Sequence, residues 1–129
     1  MKSVEDLNVF KLGFQVALDV YKITEGFPKT EIFGLSNQMR RAAISINSNI
    51  AEGSSRNSSK EYKHFVGISR GSAEELKFQV KISKELGFIN ASDSDKLVDS
   101  LSEICKMLTG LTKSLELTTC TCTDTCTKE

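Results

Sequence analysis

Leu97, Leu101, Ile104, Leu108, Leu111 and Leu115 recur at intervals of four and three residues without a break. That period returns side chains to one side of an α-helix and of no other regular element. A helix with one apolar stripe must bury it against other helices or a sheet. The rest of the chain supplies helices. Asn8 to Glu25 carries the line Phe10, Phe14, Ala17, Tyr21 and Thr24, ended by Gly26 and Pro28. Glu31 to Gly53 carries Leu35, Met39, Ala42, Ile46 and Ile50, and Ser59 to Leu86 carries Phe65, Ser69, Ser72, Leu76, Val80 and Ser83. Ser58 with Glu61 three residues on marks the start of the third helix, and Gly87 its stop. The fourth starts near Ser92, with Asp93 and Asp95 favourable at the positive end of its dipole. With a single proline and no strand alternation, the pattern predicts an all-α, antiparallel, up-down-up-down four-helix bundle.

The bundle is expected to span residues 1–117, and residues 118–129 read as a flexible Thr/Cys-rich C-terminal tail. Of the four cysteines, Cys120, Cys122 and Cys126 lie in that tail and do not frame the domain, which points to a reducing, cytoplasmic setting. No run approaches the roughly 20 apolar residues of a membrane span. Enzymatic chemistry has little to draw on. The only histidine, His64, sits near Lys60 and Lys63 without a cysteine or acidic cluster, so no catalytic set, metal site or cofactor is expected.

Two features point to binding. Lys+Arg and Asp+Glu both number 17, yet residues 36–72 hold Arg40, Arg41, Arg56, Lys60, Lys63 and Arg70 against Glu52 and Glu61, a local +4. These six form a candidate RNA or DNA surface on helices two and three, although no aromatic residues interleave with them to stack on bases. The other feature is apolar surplus. Gly67, Gly71, Phe78 and Ile82 share a face opposite Phe65 and Leu76, and Ile44, Val16, Val20 and Ile23 lie off the core stripes. These eight form a candidate oligomer interface; a wider internal groove is the alternative for the two glycines, which cost about 1 kcal/mol each in a helix. Ser45, Asn49 and Glu52 read as a polar network at one end of the bundle, with Arg41 or Arg56 paired to Glu52.

The chain also resembles a known family. Asp6-Leu7-Asn8-Val9-Phe10-Lys11, the block Phe27 to Gly53 with its Arg40-Arg41-Ala42-Ala43, and Gly71-Ser72-Ala73-Glu74-Glu75-Leu76 followed by Leu86-Gly87-Phe88-Ile89 resemble the bacterial 23S ribosomal RNA intervening-sequence proteins. The resemblance implies a four-helix bundle assembling into a homo-oligomeric, pentamer-like ring, without enzymatic activity. A related protein, the accessory protein of diversity-generating retroelements, binds a reverse transcriptase and nucleic acid. The resemblance therefore implies partners of those kinds. One departure is Asn47, where the family commonly has proline. The expected function is a non-enzymatic oligomeric adaptor that holds RNA or DNA on its basic surface; the alternative is a purely protein-binding scaffold.

Overall fold

The computed structural model describes residues 3–122. Four helices fill it: α1 (Asn8–Thr24), α2 (Leu35–Ser54), α3 (Ser59–Glu85) and α4 (Ala91–Cys122), with short 3-10 turns at Val4–Asp6 and Lys29–Glu31. The order and short connections give the up-down-up-down bundle, with α3 packed between α2 and α4 and α1 closing the fourth side against α2 and α4. No described helix is long and apolar enough to cross a membrane.

Local chemistry sets the helix ends. Ser58 caps α3 by accepting the Glu61 N–H at 3.1 Å. At the other end Gly87 takes φ +81°, and the Gly87 and Phe88 N–H groups donate to Lys84 and Ser83, closing the helix by a Schellman turn. Asn90 Oδ1 accepts the Asp93 N–H at 2.7 Å and starts α4. Glu31, expected as the first residue of α2, stays outside it. Its carboxylate accepts the Leu35 N–H at 2.9 Å and caps the helix from the preceding turn. Helix α4 continues to Cys122, past the boundary placed at Leu117; residues 123–129 of the expected tail lie outside the described residues.

The core joins Met39, Ile46, Ile50, Leu76, Val80, Leu101, Ile104 and Leu108, all fully buried. Three of the four expected stripes face it. Helix α1 is rotated from the expectation. Val9, Gly13, Val16 and Val20 point inward, whereas Phe14 and Tyr21 are 59% and 43% exposed. The reason lies at Gly13. The Asn47 carboxamide from α2 occupies the space a Cβ would need, and its Nδ2 donates to the Phe10 carbonyl at 2.8 Å. A small-residue side lets α1 and α2 approach closely, and the aromatic line is left at the edge. Helix α2 runs unbroken through Asn47, where the resemblance carries proline.

Two small polar side chains hold the centre of the bundle together without charge. Ser69 Oγ, fully buried on α3, donates to the Ile46 carbonyl at 2.7 Å, and Ser83 Oγ donates to the Gln79 carbonyl while touching Met39 Sδ. A buried hydroxyl without such a partner would cost more than it contributes.

Candidate interaction surfaces

The rotation of α1 places Phe10, Phe14, Ala17, Leu18 and Tyr21 along one wall of a groove whose other wall is Ile44, Ser48 and Ala51 of α2. The groove holds about 650 Å³ and its lining is almost wholly apolar. Ile44, expected at an interface, lies on its rim at 47% exposure. Val16 and Val20, assigned to the same interface from sequence, are instead sealed in the bundle's own core, and Ile23 is half-buried against it. These two valines therefore belong to the core and not to an interface: the apolar surface of α1 is wide, and its valine edge, not its aromatic edge, turns inward.

A second apolar surface runs along the outer side of α3. Phe78 is 64% exposed, Ile82 lies beside it, and Ile68 and Leu86 flank the same side. Gly67 and Gly71 continue the line toward the start of the helix, and a Cβ at either would meet nothing within 4 Å. The two glycines therefore open no internal groove. At the end of the bundle, Phe33 in the α1–α2 connection is 94% exposed.

The basic residues do not converge. Arg40 is half-buried and turned toward α1: its Nε donates to Thr24 Oγ1 at 2.7 Å, its Nη2 reaches the Tyr21 carbonyl, and its guanidinium covers the Tyr21 ring at 4.7 Å. A cation on the last carbonyls of α1 also meets the negative end of that helix dipole. Arg56 pairs with Glu52 at 2.6 Å and lies over Phe65. Lys63 reaches across to Glu116 on α4. Arg70 faces the α4 side as well, near Cys105. Arg41 and Lys60 are exposed and make no hydrogen bond or ion pair among the described residues. Charge along the sequence is thus divided among the α1 side, the hairpin end and the α4 side of the bundle. Replacing Arg40 by alanine removes two hydrogen bonds and a ring contact at a half-buried site. The expected loss is about 1–2 kcal/mol, read as a lower urea midpoint at unchanged slope.

A family model for the 23S rRNA-intervening sequence protein matches residues 5–110. The chain belongs to that family. A crystal structure of a protein of unknown function from the S23 ribosomal protein family of Bacteroides thetaiotaomicron superposes with a TM-score of 0.74. Its identity to this chain is 21%, and the match covers 81% of this chain and 98% of that one, so it carries the fold. No curated protein sequence matches the chain.

The span matched by the 23S rRNA-intervening sequence family contains the α1–α2 groove, the α3 ridge and all six basic residues. It also contains a polar link between α2 and α3. Ser45 Oγ and Ser72 Oγ lie 2.8 Å apart, and Asn49 Nδ2 donates to the Ser45 hydroxyl and carbonyl, both at 2.9 Å. Glu52 pairs with Arg56, one of the two partners expected for it, and makes no hydrogen bond to Ser45 or Asn49. Ser72, expected in the core, takes its place because it faces Ser45 across the helix contact. His64 is exposed and stacks edge-on against Phe65. Burial pushes the Cys105 thiol up from its ordinary value, and the Glu74 carboxylate adds to the rise against the lowering effect of Lys77 and Arg70. A thiol held protonated is a poor nucleophile.

Proposed function

We propose that this chain is a non-enzymatic, self-associating adaptor of the cytoplasm whose working surfaces are apolar rather than basic. The observation that carries the reading is the α1–α2 groove, an apolar recess of about 650 Å³ bordered by Phe14, Leu18, Tyr21 and Ile44. Contiguous apolar surface of this kind is costly to leave in water and marks a site of protein association. The groove and the α3 ridge together leave more apolar surface outside the bundle than a lone subunit needs.

Nucleic-acid binding is the weaker reading. Phosphate contact is made by Lys and Arg side chains not already held by other groups of the protein, and its free energy comes largely from releasing the counterions condensed on the nucleic acid. Arg40, Arg56 and Lys63 are engaged within the subunit, which leaves Arg41, Lys60 and Arg70 on separated faces. An assembly would repeat these three around its circumference, so weak contacts to RNA or DNA could add through multivalency. A protein partner, such as a reverse transcriptase of the kind the resemblance implies, would meet the assembly on surfaces such as the exposed Phe33.

Ile44→Glu tests the reading. The side chain is half-exposed, so the subunit keeps its helical circular dichroism, while a carboxylate on the groove rim must be desolvated on association. The expected result is a fall in light-scattering mass to that of one protomer. An oligomer of unchanged mass would remove the groove from the interface.

A further inference from the structure

We propose that the α2–α3 side of the bundle carries a socket for a small zwitterion of the free α-amino acid class, with Arg41 taking its carboxylate and Glu75 its ammonium group. The recess lies between the two helices and holds about 280 Å³. Gln38, Arg41, Ala42 and Ser45 of α2 line it on one side, and Ser72 and Glu75 of α3 on the other. It shares no lining residue with the apolar α1–α2 groove, so it is a separate site. Its occupant has few atoms, because sites for drug-sized ligands run to roughly 300–1,000 Å³.

The charges of the recess are unspent. Arg41 and Glu75 are of opposite sign and line the same small space, yet they form no ion pair with each other, and Arg41 has no hydrogen-bond partner among the described residues. Unlike charges held apart across a recess match a ligand that itself carries both. A buried group behind Glu75 points the same way. Gln79, one turn further along α3, is 4% exposed, and its Oε1 is buried without a hydrogen-bond partner. Its Nε2 reaches Glu75 Oε2 at a long 3.3 Å. The carboxamide is thus tied to the recess through Glu75 alone and holds an acceptor in need of a donor. An ammonium group arriving at Glu75 supplies donors to both: it takes the carboxylate, and the released Gln79 turns its oxygen outward. The opposite end of the recess is uncharged and fixed, because the Ser45 and Ser72 hydroxyls lie 2.8 Å apart and Asn49 holds Ser45.

This set of charges selects among small ions. One guanidinium matches one carboxylate through two parallel hydrogen bonds. A phosphate carries more negative charge and would meet the Glu75 carboxylate without a second free cation in the recess. A simple amine would leave Arg41 unmatched.

Isothermal titration calorimetry of the full chain with each standard L-amino acid in turn tests the socket. At least one is expected to bind saturably. Acetate and methylamine, which carry one charge each, are expected to bind at least about tenfold more weakly. Arg41→Gln and Glu75→Gln are each expected to weaken the amino acid that binds by at least about tenfold, since each removes a hydrogen bond to a charged group. Lys60→Gln, an exposed position outside the recess, is expected to bind as the unmodified chain does. A variant whose helical circular dichroism falls is replaced by Arg41→Lys or Glu75→Asp, which keep the charge and lose the geometry, with weakening again expected. No saturable binding by any amino acid overturns the socket, as does unchanged affinity in the Arg41 or Glu75 variants. Acetate binding as tightly as the amino acid also overturns it, because that leaves an anion contact at Arg41 only.

Discussion

Leu101→Ala is expected to destabilise the bundle by about 3 kcal/mol, within the range of roughly 2–5 kcal/mol for truncating a fully buried leucine. Leu101 is wholly buried and lies on the α4 stripe between Leu97 and Ile104. Truncation removes its transfer free energy and leaves a cavity that the neighbouring Ile104 and Leu108 can only partly fill. Against a total stability on the order of 5–15 kcal/mol, that is a large fraction. Thermal unfolding at fixed protomer concentration, so that association contributes equally, should show a fall of roughly 10 °C. Leu117→Ala on the same helix is the control. Leu117 is 67% exposed, and its removal is expected to change stability by less than about 0.5 kcal/mol.

Gly53→Val is the second large effect. A Cβ at Gly53 would stand 2.9 Å from Phe65 Cβ and from Tyr62 Cδ1, and 3.1 Å from the Tyr62 carbonyl oxygen. The last of these is backbone and cannot swing aside, so α2 and α3 must part at the hairpin end. Overpacking typically costs about 1–3 kcal/mol, and a branched side chain falls toward the upper end. The better helix propensity of valine over glycine offsets only a few tenths of a kcal/mol. A loss of about 2 kcal/mol in urea unfolding is expected. The same change at Gly67, where nothing lies within 4 Å, should leave the stability of a single subunit unharmed. Equal losses at the two glycines would mean that the α2–α3 approach at Gly53 is not set by packing.

The fold was legible because three stripes are narrow. The α4 leucines, the Met39–Ile46–Ile50 line and the Leu76–Val80 line each admit one inward direction. Helix α1 was not legible in the same way. Its apolar surface wraps about half the helix, so periodicity fixes the element but not its rotation. The signal that settles the rotation is Gly13, which has meaning only once Asn47 is known to lie against it. The aromatic edge of α1 consequently passed for core, and Val16 and Val20 for interface.

The candidate sites divide along the same line. Ile44, Gly67, Gly71, Phe78 and Ile82 lie on the surface because each is off a narrow stripe. The basic cluster was a cluster in sequence only. Arg40 sits on the α1 side of α2, Arg56 at the hairpin and Lys63 on the α4 side of α3, so a net charge summed over residues 36–72 overstates what any one surface presents. Which arginine is absorbed by a carbonyl or a carboxylate depends on tertiary neighbours, such as Thr24 and Tyr21 for Arg40, that lie about a helix length away in sequence.

The mass of the unmodified protein in solution decides whether copies of the bundle self-associate. Sedimentation velocity of the full chain over a range of concentrations and at near-physiological salt should show a species several times the 14.2 kDa protomer, with no dominant monomer at the upper end. A single 14.2 kDa species at every concentration would show that the chain does not self-associate and would leave the groove and ridge as surfaces for a different protein.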